Sequence, residues 1–269
     1  MDELLSYSRL DTFHNCPRSF YYTYVQGNRG GDNIYSFIGT IAHEIVEKLV
    51  KREIDISEAK QIFADAIDDA DMLGFEWLSD RVREKYIFNI NHFIDHFNPD
   101  LYKDAHIEEY FEVNIEGYTF RGYIDCWMED DEFIYIEDFK TSSKYSKADL
   151  IDHRRQLAIY ATALRTYAIA SGKNIKLRFN MLKYVKIGKK LVERIELGDE
   201  TNFGVGYVDV EYNDELHDDL TSWVEGTMGE IESLDPKVYY RWKKNYDPTK
   251  DFFCNNLCSH KDRCMGRRA

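Results

Sequence analysis

Apolar side chains recur at helical spacing through the first hundred residues of the chain. One series covers residues 62–67 and another covers 82–97. Two further amphipathic stretches open at Ser8 and, after Gly39, over residues 41–51. Repeats of three and four residues place apolar side chains on one face of a helix. We therefore predict a helical arm over residues 1–106.

Near Glu108 the period changes to the alternation of β-strands. Three stretches with this pattern predict an antiparallel meander, over residues 110–115, 118–128 and 133–139. Turns are expected at Glu116-Gly117 and in the acidic run 129–132. The middle of the chain should therefore be built on a sheet.

Beyond the meander the pattern alternates again between helix and strand. We predict a helix over 148–170, a hairpin over 176–186 and 191–195, and a last helix over 214–233 that precedes an irregular tail. The fold class is therefore α/β, with a core over 107–200 and a C-terminal part over 201–269. Together with the arm, they are expected to form one integrated domain.

The charge balance narrows the possible partners. The 269 residues carry 35 Lys and Arg against 49 Asp and Glu, a net charge of −14. Non-specific affinity for DNA comes largely from basic side chains, so a histone-like or repressor-like protein is excluded. Any nucleic-acid contact must be local, at basic groups between Lys140 and Arg155 or at Arg241, Lys243 and Lys244, unless these are solvated surface charges.

No apolar run reaches the roughly 20 residues that a membrane span needs. The acidic start Met1-Asp2-Glu3 lacks the layout of a signal peptide. We expect a cytoplasmic protein with no membrane partner.

Two carboxylates and a lysine are candidates for chemistry. Residues two apart on a strand share a face, so Asp138 and Lys140 project together. If the two strands pair, Asp125 reaches the same pocket, where carboxylate oxygens suit Mg²⁺ or Mn²⁺. The alternative is a surface ion pair, and the apolar neighbours Ile136 and Phe139 argue against it, because a buried charge needs a partner or a task.

Gly122-Tyr123-Ile124-Asp125, followed by Asp138-Phe139-Lys140-Thr141, resembles the motif pair of the PD-(D/E)xK nucleases. The resemblance implies a restriction-endonuclease-like core, with a central mixed β-sheet flanked by helices. It also implies that Asp125 and Asp138 are metal ligands and that Lys140 is the catalytic lysine.

Two further motifs are similar to those of the RecB-like branch of these nucleases. Gln156-x-x-x-Tyr160 resembles the motif on the helix after the core strands, and its spacing places both side chains on one face. Gly39-x-x-x-His43 resembles the helix that supplies a histidine to the metal. Taken alone, each pattern is more often structural. Glu44 and Glu137 are plausible additional groups at the metal.

Four of the five cysteines resemble the ligands of an iron-sulfur cluster. Three lie close together as Cys254-x₃-Cys258-x₅-Cys264, and such spacing without a secretory context indicates metal ligands. Cys16, in Cys-Pro-Arg-Ser-Phe-Tyr-Tyr, resembles the first cysteine of RecB-like nucleases in which a [4Fe-4S] cluster joins both chain ends, as in the AddB class and the CRISPR-adaptation nucleases.

Zinc remains an alternative at the four cysteines, with His260 as a substitute ligand, since Cys-x₃-Cys departs from the commoner tail spacing. Cys126 follows Asp125 and therefore points to the opposite face, where we expect a small buried hydrophobic residue.

The resemblance implies a metal-dependent DNA exonuclease or endonuclease that acts in recombination, repair or replication in a bacterium or its phage. The chain has no Gly-x₄-Gly-Lys-Ser/Thr phosphate loop, so it is not itself a helicase motor, but it could serve a helicase or recombination partner. A non-catalytic DNA-binding or assembly subunit and an RNA-directed nuclease remain alternatives. The intact Asp125, Asp138 and Lys140 argue against the first.

Overall fold

The computed structural model describes residues 4–197, 204–246 and 250–266. Its helices are α1 (Tyr7–Asn15), α2 (Pro17–Phe20), α3 (Ile34–Val50), α4 (Ile56–Met72), α5 (Asp80–Asp95), α6 (Lys147–Ser171), α7 (Asp214–Ser233) and α8 (Lys261–Met265). Its strands are β1 (His106–Ile115), β2 (Tyr118–Glu129), β3 (Phe133–Lys140), β4 (Asn174–Met181), β5 (Tyr184–Ile187), β6 (Lys190–Glu193) and β7 (Tyr207–Val210).

Polar caps fix where the two helices beside the sheet begin. The Asn33 side chain accepts from the amides of Tyr35 and Ser36 at the start of α3, and Ser36 returns the contact. Ser146 and Asp149 form the same reciprocal cap at α6. Such capping boxes satisfy amides that have no partner within the helix. Gly172, with φ of 69°, then ends α6 in the left-handed conformation that glycine adopts without strain.

Five strands form one mixed sheet in the order β1-β2-β3-β4-β7. The neighbours β1–β2, β2–β3 and β4–β7 are antiparallel, and β3–β4 is parallel, with α6 as the crossover. A separate hairpin joins β5 to β6. This mixed sheet flanked by helices confirms the predicted restriction-endonuclease-like fold class.

The two faces of the sheet bury separate cores. On one face α1, α2, α6 and α7 pack around Ile134 and Ile136 of β3. On the other, α3, α4 and α5 pack against Phe139 and Cys126. Cys126 is fully buried, as its position after Asp125 predicted.

Strands β1 and β2 exchange faces at one point along their length. In β2, Ile124 packs with the first core and Cys126 with the second, although two residues normally separate side chains on the same face. In β1, Ile107 and Phe111 show the same exchange. The local distortion that exchanges the faces therefore lies around Glu108 and Asp125, which are opposite one another in the register of the pair.

Most predicted elements were found, with three clear differences. The hairpin strand predicted over 176–186 is broken after Met181, so that β4 joins the main sheet and only β5 pairs with β6 as a hairpin. Helix α3 begins at Ile34 and not near Ile41, because the Asn33 cap starts it about two turns earlier. Strand β7 was not predicted, since only four residues of an edge strand carry its pattern. None of the described helices has the length and apolar character needed to cross a membrane.

Candidate active site

Asp138 and Lys140 lie together at the end of β3. The Asp138 side chain is fully buried, and its Oδ2 lies 2.5 Å from the Lys140 ammonium. Its Oδ1 has no hydrogen-bond partner among the described residues. A buried carboxylate oxygen without a partner is costly. This arrangement therefore leaves one oxygen available to a ligand that the protein itself does not supply.

Asp125 reaches the same place from β2. Backbone pairing between β2 and β3 is present from Cys126 with Glu137 onwards, on the side of the hairpin turn. Next to that pair, the Asp125 carboxylate accepts the Phe139 amide at 3.0 Å. The Asp125 carboxylate thus takes the place of a backbone carbonyl as hydrogen-bond acceptor, and this contact holds it beside Asp138.

Helix α3 supplies His43. Its Nδ1 lies 3.5 Å from Asp125 Oδ2. One turn earlier, a Cβ on Gly39 would lie 3.2 Å from the Thr141 hydroxyl, so the absence of a side chain lets the helix approach the end of β3. The Gly39-x-x-x-His43 pattern therefore has a physical basis, because the glycine allows the close approach and the histidine uses it.

Glu108 completes a group that sequence reasoning missed. One ligand atom each from His43, Glu108 and Asp125 lies within 4.8 Å of the other two. Glu108 has φ of 52°, a left-handed conformation that costs a residue with a side chain about 1 kcal/mol or more. Counting back from the Glu116-Gly117 turn would have placed Glu108 opposite Asp125, and that was the available signal.

Gln156 and Tyr160 extend the site along α6. Lys140 donates from its ammonium to Gln156 Oε1 at 3.0 Å, and Gln156 Nε2 donates to the Tyr160 hydroxyl at 2.9 Å. The shared helix face predicted from their spacing therefore does point towards Lys140. Gln156 helps to fix the ammonium in place, and Tyr160 fixes Gln156.

Two further acids that had been considered do not join this group. Glu137 is fully buried on the opposite face of β3, where it accepts hydrogen bonds from Tyr102, Asn180 and Arg178. Glu44 is exposed on α3. Glu137 thus belongs to a structural network. It points away from the Asp138 side chain because successive residues of a strand face opposite sides of the sheet.

Burial controls the charges at the site. Desolvation, followed by repulsion from Asp138, holds the pKa of Asp125 well above its usual range. Desolvation also raises the pKa of Glu108 and lowers the pKa of His43. Burial alone would lower the pKa of Lys140, but the attraction of Asp138 outweighs it and raises that pKa. The site therefore combines crowded acids, a neutral imidazole and a charged ammonium.

This donor set fits a hard divalent cation. Carboxylate oxygens and a neutral imidazole are ligands for such ions, and a positive charge would relieve the repulsion between Asp125 and Asp138. The group formed by His43, Glu108 and Asp125 offers such an ion three ligand atoms. Asp138 lies outside that group, but its charge acts on both His43 and Asp125.

The four cysteines named above gather where the chain ends meet, and all are free and half-buried. The Arg18 amide donates to the carbonyl of Lys243, and Asn245 donates to the carbonyl of Asn15. Desolvation, followed by repulsion from Cys16 and Cys264, raises the pKa of the Cys254 thiol. Thiols from both chain ends are thus close enough to influence one another.

Comparisons with known proteins agree with this geometry. The family model of the PD-(D/E)XK nuclease superfamily matches residues 4–265. A crystal structure described as a "Putative exonuclease" from Eubacterium rectale superposes with a TM-score of 0.51 at 13% identity, covering 100% of this chain and 89% of the other. At that identity the likeness concerns the fold alone.

The crystal structure of SSO0001 gives a TM-score of 0.34 at 14% identity, over 97% of this chain and 86% of the other. This similarity is too low to support a conclusion. No curated protein sequence matches significantly. The match to the family model extends over nearly the whole chain, including Asp125, Asp138 and Lys140. This chain therefore belongs to the PD-(D/E)XK nuclease superfamily.

Proposed function

We propose that this protein is a Mg²⁺- or Mn²⁺-dependent deoxyribonuclease, in the first place an exonuclease, of the RecB-like branch. One observation carries the proposal. The buried Asp138 carboxylate has an oxygen without a partner, beside Asp125 and the ammonium of Lys140. A scaffold protein has no use for a buried acid in that state, whereas a phosphodiesterase needs it to hold a cation.

His43, Glu108, Asp125 and Asp138 would hold the cation. A divalent ion in such a site lowers the pKa of water and neutralises charge on the phosphate. Asp125 is kept in position by the Phe139 amide, and His43 by the close approach of α3 at Gly39. The ligands are thus fixed by backbone contacts before any ion arrives, which reduces the free-energy cost of organising the site.

Lys140 has a separate task. Asp138 and Gln156 hold its ammonium beside the ligands, where it can orient the attacking water or neutralise charge that develops on the phosphate. Because Asp138 raises its pKa, the ammonium stays charged at neutral pH and acts by electrostatics, not as a proton acceptor. Tyr160 is a positioning residue that acts through Gln156.

We also propose that Cys16, Cys254, Cys258 and Cys264 hold a [4Fe-4S] cluster. Desolvation apart, Cys16 and Cys264 lie close enough to Cys254 to raise the pKa of its thiol, so sulfur ligands from both ends of the chain can reach one centre. The resemblance of the four-cysteine pattern to that of RecB-like nucleases favours iron and sulfide over zinc at this centre.

Cleavage assays test the nuclease proposal. Protein purified without oxygen is incubated with Mg²⁺ or Mn²⁺ and with end-labelled single-stranded, duplex and circular DNA, and with matched RNA. We expect ion-dependent cleavage of DNA that needs a free end, and none by the Asp138→Asn variant. Cleavage of RNA alone would replace DNA as the substrate. No cleavage of any substrate by well-folded, metal-loaded protein would favour a non-catalytic subunit.

A further inference from the structure

The charge of the chain is unevenly distributed near its C-terminal part. Residues 237–246, here called the tail strip, carry the four cations Lys237, Arg241, Lys243 and Lys244 and no acid. The remaining residues therefore carry −14 − 4 = −18. The acidic remainder of the protein would repel an anionic partner. A local basic segment is where such a partner would bind.

The strip also exposes aromatic rings between its cations. Tyr240 is 78% exposed, Tyr246 is 50% exposed and Tyr239 is 42% exposed. Single exposed aromatic rings are ordinary, but several rings grouped with cations on one short segment form a patch that can bind a ligand. Within the part of the chain that the structure describes, no carboxylate lies within ion-pairing distance of Arg241 or Lys243, and both side chains are exposed.

A buried anchor holds the strip in place. Trp242 is 2% exposed and stacks on Phe20, with ring centroids 5.9 Å apart and planes 7° apart. Arg18 donates from its backbone amide to the Lys243 carbonyl and from Nε to the Trp242 carbonyl. With the backbone fixed on both sides of Trp242, the neighbouring side chains are presented to solvent at little further entropic cost.

Helix α1 links the strip to the candidate active site. At its C-terminal end Phe13 contacts the Trp242 ring, with centroids 6.3 Å apart. At its N-terminal end the Tyr7 hydroxyl lies 3.5 Å from His153 Nδ1, one turn before Gln156 on α6. The nine residues of α1 span about 13 Å, a length that a few nucleotides can cover.

Cations that alternate with exposed aromatic rings are the surface on which single-stranded polynucleotides bind. The cations meet the phosphates, and the rings stack on the bases without regard to sequence. We infer that the tail strip binds the single-stranded part of the nucleic acid outside the cleavage site. This inference rests on the proposed nuclease function for its substrate class and not for its geometry.

Binding without cleavage tests the strip. Fluorescein-labelled (dT)20, (rU)20 and a 20-base-pair duplex are titrated, with anisotropy as the readout, into full-length protein carrying Asp138→Asn in chelator. Tyr240→Ala in this background should weaken binding of the single strand at least about fivefold. The double variant Arg241→Ala with Lys243→Ala should reduce the slope of log affinity against log salt by about 1.4, since each phosphate contact contributes about 0.7.

Matched controls separate the strip from general charge and ring effects. Arg52, in the turn after α3, and Lys60, on α4, are ion-paired with Asp100 and Asp95, and their double alanine variant should bind within twofold of the parent. Tyr167→Ala removes a ring that is 44% exposed towards the far end of α6 and should also have no effect. Equal melting temperatures show that the variants are folded.

The outcomes distinguish the two proposals. Tighter binding of (dT)20 than of (rU)20 identifies DNA as the strand, and the reverse identifies RNA. Strip variants that bind like the parent, no binding by the parent, or a duplex bound at least as well as the single strand would each overturn the strip inference. If the strip variants bind like the parent but wild-type protein cuts DNA, only the strip inference fails. If binding depends on the strip but no nucleic acid is cut, only the nuclease proposal fails.

Discussion

The Asp125 carboxylate accepts the backbone amide of Phe139 at 3.0 Å, next to the last backbone pair of their two strands. A side chain thus takes the role of a strand carbonyl. The consequence is mechanical, because Asp125 cannot rotate away from Asp138 without breaking a hydrogen bond of the sheet.

Adjacent acids on β3 should behave in opposite ways. Asp138→Asn should abolish cleavage and leave the melting temperature nearly unchanged, because it removes repulsion with Asp125 and only one ion pair. Glu137→Gln should preserve metal binding but cost about 3 kcal/mol of stability, since it leaves the partly buried Arg178 without its charge partner. Calorimetry and cleavage assays of both variants check this. Near wild-type cleavage by Asp138→Asn would refute the site.

Lys140 should matter to the rate and little to binding. Lys140→Ala is expected to lower kcat on the order of 10² to 10³, which is typical for the loss of one group that stabilises developing charge. Lys189, an exposed lysine in the turn between β5 and β6, is the matched control, and Lys189→Ala should cut at the wild-type rate. Single-turnover kinetics measure both, and equal rates for the two variants would contradict the role of Lys140.

Glu108 should show a conflict between function and stability. Both Glu108→Ala and Glu108→Gly should weaken Mn²⁺ binding, measured by calorimetric titration. The glycine variant should nevertheless be about 1 kcal/mol more stable than the alanine variant in denaturant unfolding, because only glycine adopts φ of 52° without strain. An alanine variant of equal or greater stability would mean that the strained conformation is absent in solution.

Metal binding should stabilise the protein more as the pH rises. The pKa of Asp125 is raised in the fold, so its contribution to the stability of metal-free protein is complete below about pH 3.9 and is lost as the pH rises through the folded pKa. Protons leave the ligands over the same range and Mn²⁺ binds more tightly. The Mn²⁺-dependent rise in melting temperature should therefore grow with pH. At a free Mn²⁺ concentration of a hundred times Kd, the ion should stabilise the fold by about 2.7 kcal/mol.

Calcium provides the complementary test at constant pH. It should raise the melting temperature and support DNA binding with little turnover, because its loose coordination polarises water less than Mg²⁺ or Mn²⁺. Undiminished cleavage after the bound metal is stripped by excess chelator would refute a metal mechanism altogether.

The cysteine cluster should be structural. Cys16 and Cys254 are 254 − 16 = 238 residues apart, and a cross-link of that span lowers the conformational entropy of the unfolded chain by an amount equivalent to about 5 to 6 kcal/mol. Anaerobically purified protein should be brown with about four irons per chain, and Cys16→Ala should bleach it and lower its melting temperature. A colourless, stable protein with one zinc would overturn the cluster and leave the nuclease proposal intact.

The positions of the strand motifs could be predicted from the sequence because their side chains recur with the two-residue period of a strand. Asp138 and Lys140 share a face in any regular strand, so their contact could be predicted. Glu108 belongs to no such motif, and only the register counted from the Glu116-Gly117 turn places it opposite Asp125. The exchange of faces at these two residues is a local distortion that the two-residue period does not predict.

The helix boundaries were likewise predicted only in part. The apolar period of α7 gave its limits because the pattern and the Asn213 cap coincide at one point. For α3 the pattern was recognised only after Gly39, although Asn33 and Ser36 already carried the cap. The α3 error concerned a polar contact, to which a search for apolar repeats is insensitive.

The stacking of Trp242 on Phe20 has a consequence for how the protein is made. Helices α1 and α2 leave the ribosome first, yet their aromatic side chains cannot be covered until residue 242 has been added. At about 5 to 20 residues per second the intervening 222 residues take about 10 to 40 s. Nascent chains should therefore recruit chaperones at their beginning and become resistant to proteolysis only after translation has passed the tail, so that prematurely terminated products are removed before they can accumulate.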